Sequence, residues 1–435
     1  MRSSAPSGIK STGVVTTSIA AWSLGAFAFY LLAGRSLGPD SYGLVAALQS
    51  VIIVGALPLA AFQWSVARVI ASRRGVDRGQ ALAAYRRLFI GGTLAVLAAA
   101  LLASLVTFAV ASARPDTPVV ALTLTYLSLA AMFPLLVSCG ALQGEHRYVG
   151  FAWSYGASGV LRAPVLLLLL ATPLLGVNAA MLAGLVSILV GATWAAWLTV
   201  DDLRTAGRPP RATWVDLREG VPAAAIGLIG IAALTNLDVI AAKLSFGGAE
   251  AGIFGATSVV AKSLLMIPQA LIVVLLPRVA ERRAAGDETG SLLAAGVLVM
   301  GLTGLIAIVI AVPFGDTLML IAFGDAYTSG GEILVPFFTA TTLLGALLIL
   351  VNHHVARGDR TFAWIVGSLA VVDVALLAGA GHSSLSIIAI DAIVAAIGLT
   401  IHEIMYFRSE DSMLRGAGSQ LATAISSVRQ SWSQR

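Results

Sequence analysis

Five charged residues interrupt otherwise apolar runs of this chain: Arg162, Asp238, Lys262, Asp373 and Asp391. A charge near the centre of a membrane helix costs about 2.5–3.5 kcal/mol on insertion scales, so a chain that keeps several usually uses them. Ser154, Ser158 and Arg162 recur every fourth residue, which places them on one face of a helix. Ser258, Lys262 and Gln269 form a second such face. Each cation is eleven residues from one end of its run, a depth of about 16 Å at 1.5 Å per residue. Two mid-depth cations, one in each half of the chain, would suit a cavity that receives an anionic head group. The alternative is that a neighbouring carboxylate neutralises each cation and only locks helices together. Asp238 and Lys243 are roughly 140° apart around a helix and poorly placed to pair, so Asp238 needs a proton, a cation or a partner on another helix. Lys243 can snorkel to the interface. Asp238, Asp373 and Asp391 are the candidates for ion coupling. Ser158, Ser258, Gln269 and Asn236 are the candidate polar groups of the cavity. His353 and His354 adjoin Asn352 at a helix end and read as interfacial residues rather than metal ligands.

The elements that must position these groups are membrane helices. Of the 435 residues, 58% are hydrophobic and only 11% charged, and the mean hydropathy of +0.91 lies far outside the soluble range. About 20 apolar residues cross a hydrocarbon core, and twelve such runs fit: 12–34, 43–67, 88–112, 119–141, 151–172, 177–199, 220–244, 251–277, 292–313, 332–352, 363–380 and 385–405. Val14 to Ala33 is too long for a signal-peptide core and reads as a retained first span. The pI near 9.6 does not indicate nucleic acid, because the basic residues lie between hydrophobic runs. With the N-terminus cytoplasmic, all 27 Lys and Arg fall inside except Arg35 and Arg114 outside and Arg162, Lys243 and Lys262 within spans. Both termini are therefore expected in the cytoplasm. Cys139 is the single cysteine, which excludes an intrachain disulfide and a thiolate metal cluster. No phosphate-binding loop, HExxH or GxSxG motif is present, so neither an enzyme nor a cofactor is expected.

The hydrophilic stretch Asp201 to Gly220, with Arg208-Pro209-Pro210-Arg211, has six spans on each side. It reads as a cytoplasmic linker (201–220) between an N-terminal lobe (1–200) and a C-terminal lobe (221–405), with a cytoplasmic tail at 406–435. SLGPDSYGLVAA (Ser36 to Ala47) aligns with SFGGAEAGIFGA (Ser245 to Ala256) at an offset of 209, and Gly144-Glu145-His146 echoes Gly358-Asp359-Arg360 at 214. The offsets point to a six-helix unit duplicated in parallel, a recurrent plan of secondary transporters with the substrate path between the repeats. The fold class expected is all-α, two six-helix lobes around a central cavity. Pro58, Pro134, Pro164, Pro268 and Pro336 fall inside apolar runs and permit bends there.

GRSLGPDSYG (Gly34 to Gly43), PLAAFQWSVAR (Pro58 to Arg68), LQGEHRY (Leu142 to Tyr148), and NLDVIAAK through EAGIFGA and Lys262 to the LLPR ending at Arg278 resemble the polysaccharide-biosynthesis flippases of the multidrug/oligosaccharidyl-lipid/polysaccharide exporter superfamily, the MATE-like transporters. The resemblance implies twelve or fourteen helices around a V-shaped, often cationic cavity. It also implies movement of a lipid-linked glycan, of the undecaprenyl-pyrophosphate type, across the bacterial cytoplasmic membrane by alternating access. It matches Asp238 and Lys262 to polar positions of the seventh and eighth spans, and Arg35 to a basic residue before the LGP turn, which adds Arg35 to the candidate cavity cations. Membrane lipids, a polysaccharide polymerase and glycosyltransferases are the implied partners. Gly247-Gly248-Ala249 is less polar than the turn usual in the family, and twelve spans fit poorly with the fourteen-span peptidoglycan-precursor flippases. Two other classes stay open: a cation-coupled small-molecule exporter and a non-transporting scaffold of glycan assembly. The exporter calls for carboxylates in the first lobe, yet its six spans hold no Asp or Glu in their apolar interiors.

Overall fold

A computed structural model of the chain describes residues 8–415 apart from 74–75, 173–175, 206–210, 220, 270–289, 358–359, 381–382, 410–411 and 414. The Arg278 cluster, the Gly358-Asp359 echo, Pro209-Pro210 and the tail beyond 415 lie outside the described residues. Fifteen α-helices carry the described chain, with no strand among them. Ten helical stretches are long and apolar enough to cross a membrane, or eleven when a pair bent by 43° at Thr235-Asn236 counts as one span. The protein is a multi-pass membrane protein.

The first lobe begins with α1 (Gly8–Ser72), which is broken at Gly38, where φ is 70° and ψ 168°. Only glycine adopts that backbone without strain, and Pro39 follows immediately. Sixty-five helical residues would extend about 98 Å, so the break divides α1 into two crossings. Next come α2 (Val76–Ala113), α3 (Val119–Gly144), α4 (Tyr148–Val160), α5 (Arg162–Leu170) and α6 (Val177–Leu198). Pro164 removes an amide donor at the α4/α5 junction, so one span becomes two segments that meet at Arg162.

The expected linker forms two short helices, α7 (Val200–Thr205) and α8 (Arg211–Glu219). Leu217 and Thr213 of α8 are buried. Ser65 donates to the Leu217 carbonyl, Arg73 pairs with Asp216, and Arg87 lies 4.9 Å from the Trp214 ring. Beside it, Arg78 and Arg147 flank Glu145, and Arg147 reaches Asp202 at 3.5 Å. Burial and the neighbouring Glu145 carboxylate raise the pKa of Asp202.

The second lobe comprises α9 (Val221–Leu234), α10 (Leu237–Ser245), α11 (Gly248–Lys262), α12 (Gly290–Phe323), α13 (Leu334–Arg357), α14 (Arg360–Ala380) and α15 (Ser384–Tyr406). A 3-10 turn, Ser263–Leu265, follows α11. The chain between α10 and α11 turns at Gly247-Gly248, where Gly248 has a φ of +43°. This is the position that the 209-residue offset pairs with the break at Gly38.

The two lobes meet at that end through residues the same offset relates. A Cβ on Gly43 would lie 2.9 Å from the Gly252 nitrogen, and one on Gly255 2.8 Å from the Ala46 Cβ. Small residues permit this backbone approach. Residues 314–331, a plain connection in the sequence reading, instead extend α12 past Pro313 and add a 3-10 helix, Asp325–Ile333, that caps the seam. Tyr42, Phe323 and Tyr327 form a cluster of tilted and edge-on rings with centroids 5.3–6.1 Å apart, and the Tyr327 hydroxyl donates to the Gly34 carbonyl at 2.8 Å.

Candidate functional site

Between the lobes lies a cavity of about 490 Å³. Its wall starts just inside the closed seam, at Tyr30, Ala46, Val239 and Gly255. It ends at Gln63, Gln143 and Asn352, beside the connections rich in arginine. The first lobe contributes most of the aromatic lining, Trp22, Tyr30, Trp64, Phe151 and Tyr155, whereas the second contributes Leu228, Ile231, Val259, Met266 and Leu348. Arg162 and Lys262 are the charged residues among the lining.

Arg162 stands at the break between α4 and α5. A Cβ on Gly25 would lie 2.6 Å from the Gly159 carbonyl oxygen, and one on Gly159 2.6 Å from that of Trp22. This glycine crossing of α1 and α4 sets the Trp22 ring 5.4 Å from the guanidinium. Arg162 is only 4% exposed, and its electrostatic neighbours are the tyrosines Tyr30 and Tyr155 rather than a carboxylate. Both Arg162 Nε and Trp22 Nε1 are buried without a hydrogen-bond partner. Trp22 stacks on Tyr155 at 5.6 Å and Tyr155 on Phe151 at 5.5 Å, which continues the aromatic wall toward the arginine-rich end.

Lys262 stands at the end of α11, six residues before Pro268, in different surroundings. Its Nζ donates to both carboxylate oxygens of Asp238, at 2.7 and 2.6 Å. The neutralised alternative of the sequence reading thus describes Lys262 and does not describe Arg162. Asp373 on α14 and Asp391 on α15 are each 1% exposed and lie behind the pair. They are within hydrogen-bonding reach of each other and interact electrostatically with Asp238 and Lys262. Neither Asp373 oxygen has a donor, because two ionised carboxylates have none to offer; a bond between them requires a shared proton.

The remaining expected site residues divide. Ser258, Gln269 and Asn236 line the cavity. Ser158 does not: its hydroxyl donates to the Tyr155 carbonyl at 2.7 Å, and its Cβ packs where Gly191 of α6 leaves room. Arg35 is displaced more. It donates to the carbonyls of Ile321 and Ala322 at the end of α12, satisfying two acceptors there and closing the capped end rather than serving the cavity. His353 and His354 are buried rather than interfacial; His354 Nε2 is 2.9 Å from His402 Nε2, within a ring cluster that includes Phe362 and Tyr406. Sequence reasoning missed Trp22, Tyr30, Gln49 and Tyr155. It quoted Gln63 and Gln143 within motifs without a role, and these bond each other at 2.9 Å.

The all-helical chain with a cavity between its halves shares its fold with solved structures of MATE transporters and of a lipid II flippase. The eukaryotic MATE transporter AtDTX14 superposes with a TM-score of 0.64 at 13% identity, over 95% of this chain and 98% of that one. The lipid II flippase MurJ in an inward closed conformation gives 0.68 at 11% identity, over 95% and 91%. The Vibrio cholerae MATE transporter VcmN gives 0.62 at 18%, over 92% and 97%. No protein-family profile and no curated protein sequence matches the chain.

Proposed function

We propose that this protein is a flippase that carries a lipid-linked glycan across the bacterial cytoplasmic membrane for polysaccharide biosynthesis, with both termini in the cytoplasm. The observation that carries the reading is Arg162, a buried guanidinium without a carboxylate in the wall of an aromatic cavity. A buried unpaired charge is costly, and an anionic head group that enters the cavity offsets that cost by supplying charge-assisted hydrogen bonds. The stacked rings Phe151, Tyr155 and Trp22 present apolar faces to sugar rings, and Gln49, Gln63 and Asn236 offer amides to hydroxyls. Parting of the Gly43/Gly252 seam while the arginine-rich end closes gives alternating access. Asp238, Asp373 and Asp391 are the groups through which an ion gradient drives the cycle, with Lys262 as the counter-charge of Asp238.

The test is reconstitution of the full chain in vesicles with a fluorescent, short-chain polyprenyl-linked sugar. Label that becomes accessible to an impermeant quencher at a rate dependent on the protein supports the reading. If no lipid-linked sugar moves while a cationic drug does, the exporter reading takes its place; a protein that moves neither is a scaffold.

A further inference from the structure

We propose that the lipid carried by this cavity joins its sugar through a single phosphate, a phosphodiester monoanion, and not through a pyrophosphate. The inference rests on the flippase reading and narrows its substrate.

The balance of charge at the wall leads to it. Among the described residues only Arg162 and Lys262 bring charge to the lining, and only one of them is available. Lys262 is held by both oxygens of Asp238. A phosphate that took Lys262 would leave Asp238 ionised in a low-dielectric wall, where an unpaired charge is strongly disfavoured. The second lobe therefore offers no net positive charge to an anion.

The first lobe offers one. Arg162 has an unpartnered Nε, and the unpartnered indole Nε1 of Trp22 belongs to the ring beneath the guanidinium. A guanidinium fork matches the two non-bridging oxygens of one phosphate, which share a single negative charge. The indole N–H adds a neutral donor. One positive charge and one neutral donor balance a phosphodiester; a pyrophosphate would retain a second charge with no free cation in the described lining to balance it.

Full-length protein in proteoliposomes is given two fluorescent short-chain polyprenyl lipids that carry the same sugar through one phosphate or through two. The phosphodiester is expected to flip at least about tenfold faster, equivalent to about 1.4 kcal/mol, and Arg162→Gln should remove most of that advantage. In a second measurement the binding of each head group is followed by tryptophan fluorescence. Asp238→Asn frees Lys262 and should shift the preference toward the pyrophosphate. Equal or faster flipping of the pyrophosphate lipid by the wild-type protein would overturn the inference and leave the flippase reading intact. Movement of neither lipid would overturn both. The wild-type ratio needs no variant to fold, so misfolding of Arg162→Gln or Asp238→Asn leaves the central outcome readable.

Discussion

Arg162, at the α4/α5 break, and Lys262, at the end of α11, stand one in each lobe, at places the repeat does not relate. Each is a mid-depth cation at a helix discontinuity ahead of a proline, and each lines the same cavity. Their surroundings are opposite. Lys262 is bonded to Asp238 with Asp373 and Asp391 behind it, whereas Arg162 rests on Trp22 among tyrosines with no carboxylate. The two lobes thus bring like charges to one cavity in different electrostatic surroundings. The difference follows from the acidic residues of the second lobe alone. It separates a wall whose cation has no carboxylate from a wall whose cation is paired.

Removal of Arg162 is the most direct way to break the contrast. Arg162→Gln is expected to slow transport of an anionic lipid by about ten- to a hundredfold, the loss of one charge-assisted hydrogen-bonding group worth about 1.5–3 kcal/mol. The melting temperature should stay level or rise, because an unpaired buried charge has been removed. A flipping assay and a thermal melt on the same preparation check both. A large fall in stability would show that Arg162 is a structural partner like Lys262 and not a waiting one. On the other side, Asp238→Asn or Lys262→Met alone leaves one buried charge without its partner and should cost about 3–5 kcal/mol, whereas the double variant recovers most of the loss. Denaturant melts of the two singles and the double measure the coupling; additive losses would mean that the ion pair contributes little.

Much of the fold was legible because hydropathy and the placement of basic residues depend on the membrane and not on packing detail. The repeat was legible at Gly38 and Gly247-Gly248, where the backbone needs glycine in both halves. The site was legible only in part. Arg162, Lys262, Asn236, Ser258 and Gln269 were marked by polarity in an apolar run, whereas spacing alone could not show that Ser158 bonds its own helix and packs against Gly191 of α6. Arg35 was misplaced because nothing local announces that residues 314–331 fold back over the seam. Trp22, Tyr30 and Tyr155 carry no signal in an apolar sequence; only the crossing at Gly25 and Gly159 brings Trp22 beneath the guanidinium.

Access to both cations depends on the closed seam. A Cβ at position 252 would sit 1.9 Å from the Pro39 carbonyl oxygen, so Gly252→Val should hold the lobes apart there while leaving each cation in its own surroundings. Spin labels at Leu37→Cys and Glu250→Cys, in a Cys139→Ser background, should move several ångströms farther apart in the valine variant, and transport should fall because the cycle cannot close that end. An unchanged distance would mean that the two halves accommodate the side chain without opening.

The smallest expected effect sharpens the contrast most finely, because Ser158 and Ser258 each lie four residues before their cation. Ser158 is bonded to the Tyr155 carbonyl and packed against Gly191, while Ser258 faces the cavity. Ser158→Ala should cost about 0.5–1 kcal/mol of stability, the net worth of one hydrogen bond, and leave the apparent affinity for the lipid unchanged. Ser258→Ala should do the reverse, raising the half-saturating lipid concentration about twofold, since a single neutral hydroxyl donor contributes at the low end of that range. Concentration series of flipping with both variants distinguish the cases. If Ser158→Ala weakened lipid binding as much as Ser258→Ala, the helix before Arg162 would face the cavity during transport, and the two lobes would be more alike in the working cycle than in this conformation.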